Sequence, residues 1–222
     1  MPARTTRQEA RKRMTDYSGK LIVISGPAGS GKGTVVKELL ALDDRYALSV
    51  SATTRGVRPT EKHGREYYFI SREEFESRLA AGRMLEYNEY CDQLYGTPLD
   101  EMEIALKSGK YFILEIEVNG ASRVRELYPE ALLIMITPPD YDTLEARLRG
   151  RGTETEDIIQ KRLATARDEI ARLGMFDYIL INEEGKFHEL AETIAEIVDG
   201  APYDERRVIN NPDFGKKFFG NK

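Results

Sequence analysis

The run Gly26-Pro27-Ala28-Gly29-Ser30-Gly31-Lys32-Gly33-Thr34 has the residue types and spacing that grip a polyphosphate. A loop that wraps phosphate oxygens must turn successive N–H groups inward. Glycines let the backbone come close where side chains would obstruct it. Lys32 is then placed to reach the outer phosphates as a point charge, offsetting charge that develops when a phosphoryl group moves. Residues Gly26, Pro27, Ala28, Gly29, Ser30, Gly31, Lys32, Gly33 and Thr34 are therefore assigned to the phosphates of a nucleotide, with Mg2+ as its accompanying ion. Gly33 stands where this motif usually carries the Ser or Thr that touches magnesium, so no metal ligand is assigned. Kinases, ATPases, GTPases and motors all use such a loop, and the acceptor has to be read elsewhere.

Two further runs carry chemistry. Ser49-Val50-Ser51-Ala52-Thr53-Thr54-Arg55-Gly56-Val57-Arg58-Pro59 is followed by Gly64-Arg65-Glu66-Tyr67-Tyr68-Phe69. Paired arginines beside hydroxyls and tyrosines form a clamp suited to a phosphate monoester, although arginines on a surface loop are also ordinary solvated charges. The run Arg147-Leu148-Arg149-Gly150-Arg151-Gly152-Thr153, with Arg162 beyond it, flanks arginines with glycines, as a loop that closes cations over a nucleotide would. A plain basic helix would account for the same charges.

These groups act together only if strands and helices hold them. Leu21-Ile22-Val23-Ile24 is a short apolar, β-branched run that predicts a buried strand feeding the glycine loop, and residues 34–42 carry apolar positions at helical spacing. Residues 111–116, 131–136 and 178–181 read as further buried strands, with helices over 121–127, 141–148 and 155–173 between them. That alternation predicts an α/β fold with a mostly parallel sheet covered by helices. Residues 47–97 break the rhythm with short segments at 48–51, 67–70 and 84–87 and a helix near 73–80, which predicts an inserted small mixed α/β lobe. A last helix over 186–198 is stopped at Gly200-Ala201-Pro202, and the tail beyond it reads as a peripheral appendage.

Composition narrows the function classes. The 222 residues are 41% apolar and 32% charged with a net charge of −5, which suits one globular unit with insertions and disfavours a nucleic-acid-binding surface. The single cysteine, Cys91, excludes an internal disulfide framework. No apolar run approaches the ~20 residues that cross a bilayer, so no membrane partner is expected. The N-terminal residues Arg4, Arg7, Arg11, Lys12 and Arg13 read as a solvated basic extension over 1–18, and the expected location is cytoplasmic.

The order of the phosphate loop, SVSATTRGVRP, GREYYF, a Glu86 segment, LYGTP, LEIEVNGA and RLRGRGTETEDIIQKRL resembles the guanylate kinases of the bacterial type over residues 21–198. The resemblance implies a P-loop nucleoside monophosphate kinase that transfers phosphoryl from ATP to GMP and dGMP. It further implies a kinase domain over 19–198, a GMP-binding insertion over 47–97, a mobile lid over 140–165 and a tail over 199–222. By this resemblance Ser51, Arg55, Arg58, Tyr67 and Tyr95 hold the GMP phosphate. Glu86 and Thr97 read guanine, where a carboxylate accepts from N–H groups that adenine lacks; taken alone, Glu86 would be an exposed strand glutamate. Glu115 and Glu117 stand where the family often has aspartates, and Glu117 is assigned to GMP. Lys32, Arg147, Arg151 and Arg162 are the expected contacts to the transferring group. A second reading keeps the resemblance and drops catalysis, leaving a phosphopeptide-binding module; an intact Lys32 loop and an arginine-rich lid disfavour it. A homo-oligomer is left open.

Overall fold

The computed structural model describes residues 17–90, 92–150, 152, 155–200 and 214–219. Most of the basic arm, Cys91 and the expected catalytic residue Arg151 lie outside them. A five-stranded sheet has the order β2-β7-β1-β8-β9. Its members are β1 (Lys20–Ser25), β2 (Tyr46–Leu48), β7 (Tyr111–Glu115), β8 (Leu132–Thr137) and β9 (Tyr178–Ile181). β8 runs parallel to both β1 and β9, with Ile24 opposite Ile134 and Ile134 opposite Tyr178. Helices on both faces explain why Ile22, Val23 and Ile24 are all fully buried and why these strands show no polar alternation. Each such side chain contributes roughly 1.5–3 kcal/mol by leaving water.

A second sheet has the order β4-β3-β6-β5, built from β3 (Ala52–Thr53), β4 (Tyr68–Phe69), β5 (Met84–Tyr90) and β6 (Gln93–Pro98). β3 pairs parallel with β4 and antiparallel with β6, and β5 pairs antiparallel with β6, so this sheet is mixed. Its own small core joins Ala52, Phe75 and Leu94. Phe75 comes from α2 (Arg72–Ala80), whose start is fixed by Ser71 accepting from the Glu74 N–H, the Ser-x-x-Glu pattern of a capped helix.

α1 (Lys32–Leu42) follows the glycine loop and buries Val35, Val36 and Leu39 on one face. It packs along α7 (Phe187–Val198), which buries Leu190, Ala191, Ile194 and Val198. The other helices are α3 (Leu99–Lys107), α4 (Val118–Leu127), α5 (Tyr141–Gly150) and α6 (Glu156–Ile170), with α8 (Phe214–Phe219) in the tail. By contact density the chain groups into two compact units. Of the described residues, one unit holds those within 17–21, 47–114 and 119–131, and the other those within 22–46, 115–118 and 132–219.

The structure departs from the sequence reading in four places. Residues 48–51 do not form a strand of the small lobe; β2 edges the larger sheet, and Ser49 donates its N–H to the Ile113 carbonyl. Alternation has a period but does not name a sheet. α3 was not anticipated, although Leu99, Met102 and Leu106 form its buried face. α6 ends at Ile170 and gives way to a 3-10 turn over Leu173–Met175, short of the expected 173. The tail is also more than an appendage. Phe214 and Phe218 of α8 are buried, the Phe219 ring lies 5.8 Å from that of Tyr141, and the Arg167 guanidinium sits 5.1 Å from the Phe219 centroid.

Candidate active site

The phosphate loop fits its sequence locally. Gly26 and Gly31 have φ of 155° and 84°, and a Cβ on Gly31 would stand 2.4 Å from the Asn182 amide nitrogen. Turns close the loop, with Ser30 N–H donating to Pro27 O and Thr34 N–H to Gly31 O, both at 3.0 Å. Lys32 Nζ donates to Gly26 O at 3.0 Å, which draws the ammonium back over the loop.

Asn182, which sequence reasoning missed, anchors this loop. It is fully buried just past β9; its Nδ2 donates to Ser30 O at 2.7 Å, and its own carbonyl accepts from Arg147 Nη2 at 2.9 Å. Ser25 Oγ, Ser30 Oγ, Thr137 Oγ1, Arg147 Nη1 and Asn182 Oδ1 are buried without a hydrogen-bond partner among the described residues. Buried polar atoms are rarely left unpaired, and Ser25, Thr137 and Asn182 lie at the carboxyl ends of parallel strands, where α/β sheets bind ligands. The hydroxyls and the guanidinium N–H of this set are donors suited to phosphate oxygens.

Carboxylates collect in the same unit. Glu115, at the end of β7, places an oxygen 3.3 Å from where a Gly33 Cβ would be, and Glu117 lies exposed just beyond the strand. Glu169 on α6 is 6% exposed, and burial pushes its carboxyl above the ordinary range. The Lys32 charge pulls it back, Glu117 pushes it further up, and the Val118 N–H donates to it. Sequence reasoning missed Glu169 as well. Its signal was a lone acid on the apolar face of a helix.

Arg147 and Arg162 lie half-buried on α5 and α6. Between them, Arg149 is tied to Glu145 at 2.7 Å and to Glu156 at 2.8 Å. That hydrogen bond, helped by Gln160, holds the Glu156 carboxyl down to about 2, and Arg149 is correspondingly raised. Arg149 thus braces the two helices that flank residues 151–155.

The other unit gathers most of the residues assigned to the acceptor. Glu86 and Thr97 are directly opposed across β5 and β6, and the Thr97 hydroxyl donates to Glu86 Oε1 at 2.8 Å. Glu86 is only 9% exposed, so it is not a solvated strand glutamate. A buried carboxylate is an acceptor suited to two parallel N–H groups. The Tyr67 and Tyr95 rings meet edge to face at 6.0 Å, and the Arg55 guanidinium lies 5.5 Å from the Tyr67 centroid. Burial raises the Tyr67 hydroxyl above its usual value, which keeps it a donor at neutral pH. Arg58 is exposed and its side chain makes no hydrogen bond or ion pair among the described residues. Ser51 O accepts from the Tyr68 N–H at 2.8 Å. The Tyr68 hydroxyl donates to Glu101, a bond that pushes it up to about 12, and Glu101 also accepts from the Val50 N–H at 3.2 Å. Of the residues assigned to GMP, Glu117 alone belongs to the phosphate-loop unit.

A mostly parallel sheet flanked by helices, a glycine loop with a lysine at the head of a helix, and a second mixed sheet carrying a buried carboxylate define a P-loop kinase for small phosphorylated acceptors. The guanylate kinase family model matches residues 18–201, and the chain belongs to that family. It is 48% identical over 192 residues to a guanylate kinase of Lactiplantibacillus plantarum, covering 86% of this chain and 92% of that one. It is 46% identical over 196 residues to a guanylate kinase of Shouchella clausii, covering 88% and 95%. Among solved structures, the guanylate kinase of Anaplasma phagocytophilum matches with a TM-score of 0.64 at 30% identity, covering 90% of this chain and 94% of that one. The chain is an enzyme of this type, and the catalytic reading is favoured over a phosphopeptide module.

Proposed function

We propose that the enzyme transfers the terminal phosphoryl group of ATP to GMP, and to dGMP, giving ADP and the nucleoside diphosphate. The observation that carries the choice of acceptor is the buried Glu86–Thr97 pair, 2.8 Å apart, in the lobe that also holds Arg55, Tyr67 and Tyr95. Guanine offers N1–H and a 2-amino group to Glu86. Adenine offers neither there, so the buried carboxylate would gain no such partners from it. The proposed lobe spans 47–97, with Arg55, Arg58, Ser51, Tyr67 and Tyr95 around the phosphate, and the lid spans 140–165.

Phosphoryl transfer asks for little covalent help, so the residues act by position and charge. Loop N–H groups between Gly26 and Thr34, other than those of Ser30 and Thr34 that close the turns, cradle the ATP phosphates. Lys32 leaves Gly26 O for the outer phosphate oxygens, and Arg147 and Arg162, with Arg151, spread cation over the moving group. No residue is a nucleophile; the GMP phosphate oxygen attacks in line. No group of three or more His, Cys, Asp or Glu side chains among the described residues is arranged to hold a metal. Mg2+ would be held chiefly by the phosphates and water, with Glu115, beside Gly33, and Thr34 the residues to receive it. When bound, it supplies charge neutralisation of the phosphate oxygens. Among the described residues no helix is long and apolar enough to cross a membrane. We place the reaction in the cytoplasm.

ADP release with ATP and Mg2+, compared among GMP, dGMP, AMP, UMP and no acceptor, tests the reading, with Lys32→Ala as background. GMP-dependent turnover that the variant lowers by ~100-fold or more supports it. ADP release that GMP does not stimulate would overturn it.

A further inference from the structure

We propose that Glu61 is a positioning residue for the acceptor phosphate: it clamps the guanidinium of Arg55, and closes the turn that carries Arg58, before GMP arrives. The inference rests on reading the small lobe as the GMP site. Glu61 was singled out by no motif.

The geometry is bidentate. Arg55 Nη2 donates to Glu61 Oε1 at 2.8 Å and Nη1 to Oε2 at 3.0 Å, so the carboxylate takes the end of the guanidinium. Nη1 spends its second hydrogen on Gly56 O at 2.8 Å. Of the five N–H donors of an arginine, Glu61 and Gly56 take three, and Tyr95 also bonds the guanidinium; Nε–H and the second Nη2 hydrogen form the side edge of the fork, whose spacing matches two oxygens of a phosphate. The same Glu61 Oε2 accepts from the Arg58 N–H at 2.9 Å, while the Glu61 N–H donates to Arg58 O at 3.0 Å. One carboxylate thereby fixes the side chain of the first arginine and closes the turn that carries the second.

The pair differs from the other ion pairs of its lobe. Arg55 and Glu61 side chains are 16% and 12% exposed, against 63% and 31% for Arg65–Glu66. The Arg55 fork is also flanked by the Tyr67 and Phe69 rings at 5.5 and 5.6 Å. The Arg55 hydrogen bond holds the Glu61 carboxyl below the usual range, so the clamp is charged at neutral pH.

A carboxylate beside an anion site carries an electrostatic penalty, because it cancels part of the charge that attracts phosphate. Positioning and charge therefore act in opposite directions on GMP affinity. A long side chain held in one rotamer by two parallel bonds loses no further freedom when the ligand binds, and this term is the larger one here.

The test measures KM for GMP, KM for ATP, kcat and Tm for Glu61→Gln, Glu61→Ala, Arg55→Ala and the double variant Arg55→Ala/Glu61→Ala. Expected is a rise in KM for GMP on the order of tenfold in Glu61→Ala, with a smaller rise in Glu61→Gln and a KM for ATP changed by less than about twofold. In the Arg55→Ala background, removing Glu61 should add a clearly smaller rise, that owed to the Arg58 turn alone, since its side-chain partner is already gone. If Glu61→Ala does not fold, Glu61→Gln carries the same comparison. A KM for GMP that is unchanged or lowered by both Glu61 variants, or an equal effect with Arg55 absent, overturns the proposal while leaving the site intact. If Arg55→Ala itself leaves KM for GMP unchanged, the site reading falls and this proposal with it.

Discussion

Replacing Asn182 by Leu isolates the bond that anchors the phosphate loop. Leu keeps the branched shape of the amide and removes its donor, while the Asn182 main-chain contacts with Arg147 and Thr137 persist. The lost bond is the 2.7 Å contact to Ser30 O, in a residue that is fully buried. Its net contribution is about 1 kcal/mol, and leaving the Ser30 carbonyl unpaired costs about 1–3 kcal/mol more. The site cannot relax freely, because Gly31 already lies so close to Nδ2 that a Cβ there would stand 2.4 Å away. A total of about 2–4 kcal/mol lowers Tm by about 5–15 °C for a chain of this size. If one third to one half of that loss falls on the shape of the ATP-binding loop, KM for ATP rises by on the order of tenfold. KM for GMP should move by less than about twofold, since its assigned ligands are held by other elements. Thermal unfolding and steady-state kinetics at saturating GMP measure both quantities. A Tm within about 2 °C of the parent together with an unchanged KM for ATP would refute the assignment of Asn182 as the anchor.

Further outcomes follow from other observations. Glu86→Gln keeps the Thr97 contact but presents one donor where guanine needs acceptors, so kcat/KM for GMP should fall by about 10- to 100-fold relative to AMP, read from the two acceptors in parallel. Phe218→Ala removes a ring that is 2% exposed and should cost about 3 kcal/mol, or a Tm drop of about 6–12 °C, without changing KM for GMP. An unchanged Tm would mean that α8 contributes nothing to the fold. The Glu169 carboxyl is raised in the folded chain, mainly by burial, so the native state holds its proton to higher pH than the unfolded chain does. Stability then declines as pH rises from the ordinary carboxylate range through the raised value. Glu169→Gln removes that decline: its Tm advantage over the parent should grow from pH 4 to pH 7, and an advantage independent of pH would contradict the assignment.

Much of this molecule is written locally. The run from Leu21 to Thr34 specifies strand, loop and helix within a span short enough for β-branched runs, glycines and one lysine to leave a single option. The motif order likewise carried the family. Other features have no local signature. β2 joins the larger sheet and not the lobe, because a period-2 pattern is the same whichever sheet it enters. Glu86 looked like a surface residue by type and became a buried one only through the facing Thr97 strand.

Asn182 and Ser30 are separated by 152 positions, and their bond exists only because the β-strand order brings the end of β9 to the loop. Glu169 acquires its raised carboxyl from burial and from Glu117, against the pull of Lys32, and neither residue lies on its own helix. The sequence by itself determined which chemistry this chain carries, since residue types and short spacings encode phosphate loops, arginine pairs and hydrophobic periods. The tertiary structure decided which polar groups are desolvated and whom they face. Burial and hydrogen-bond pairing are properties of neighbours distant in the chain, and they set the strength of every charge in the site.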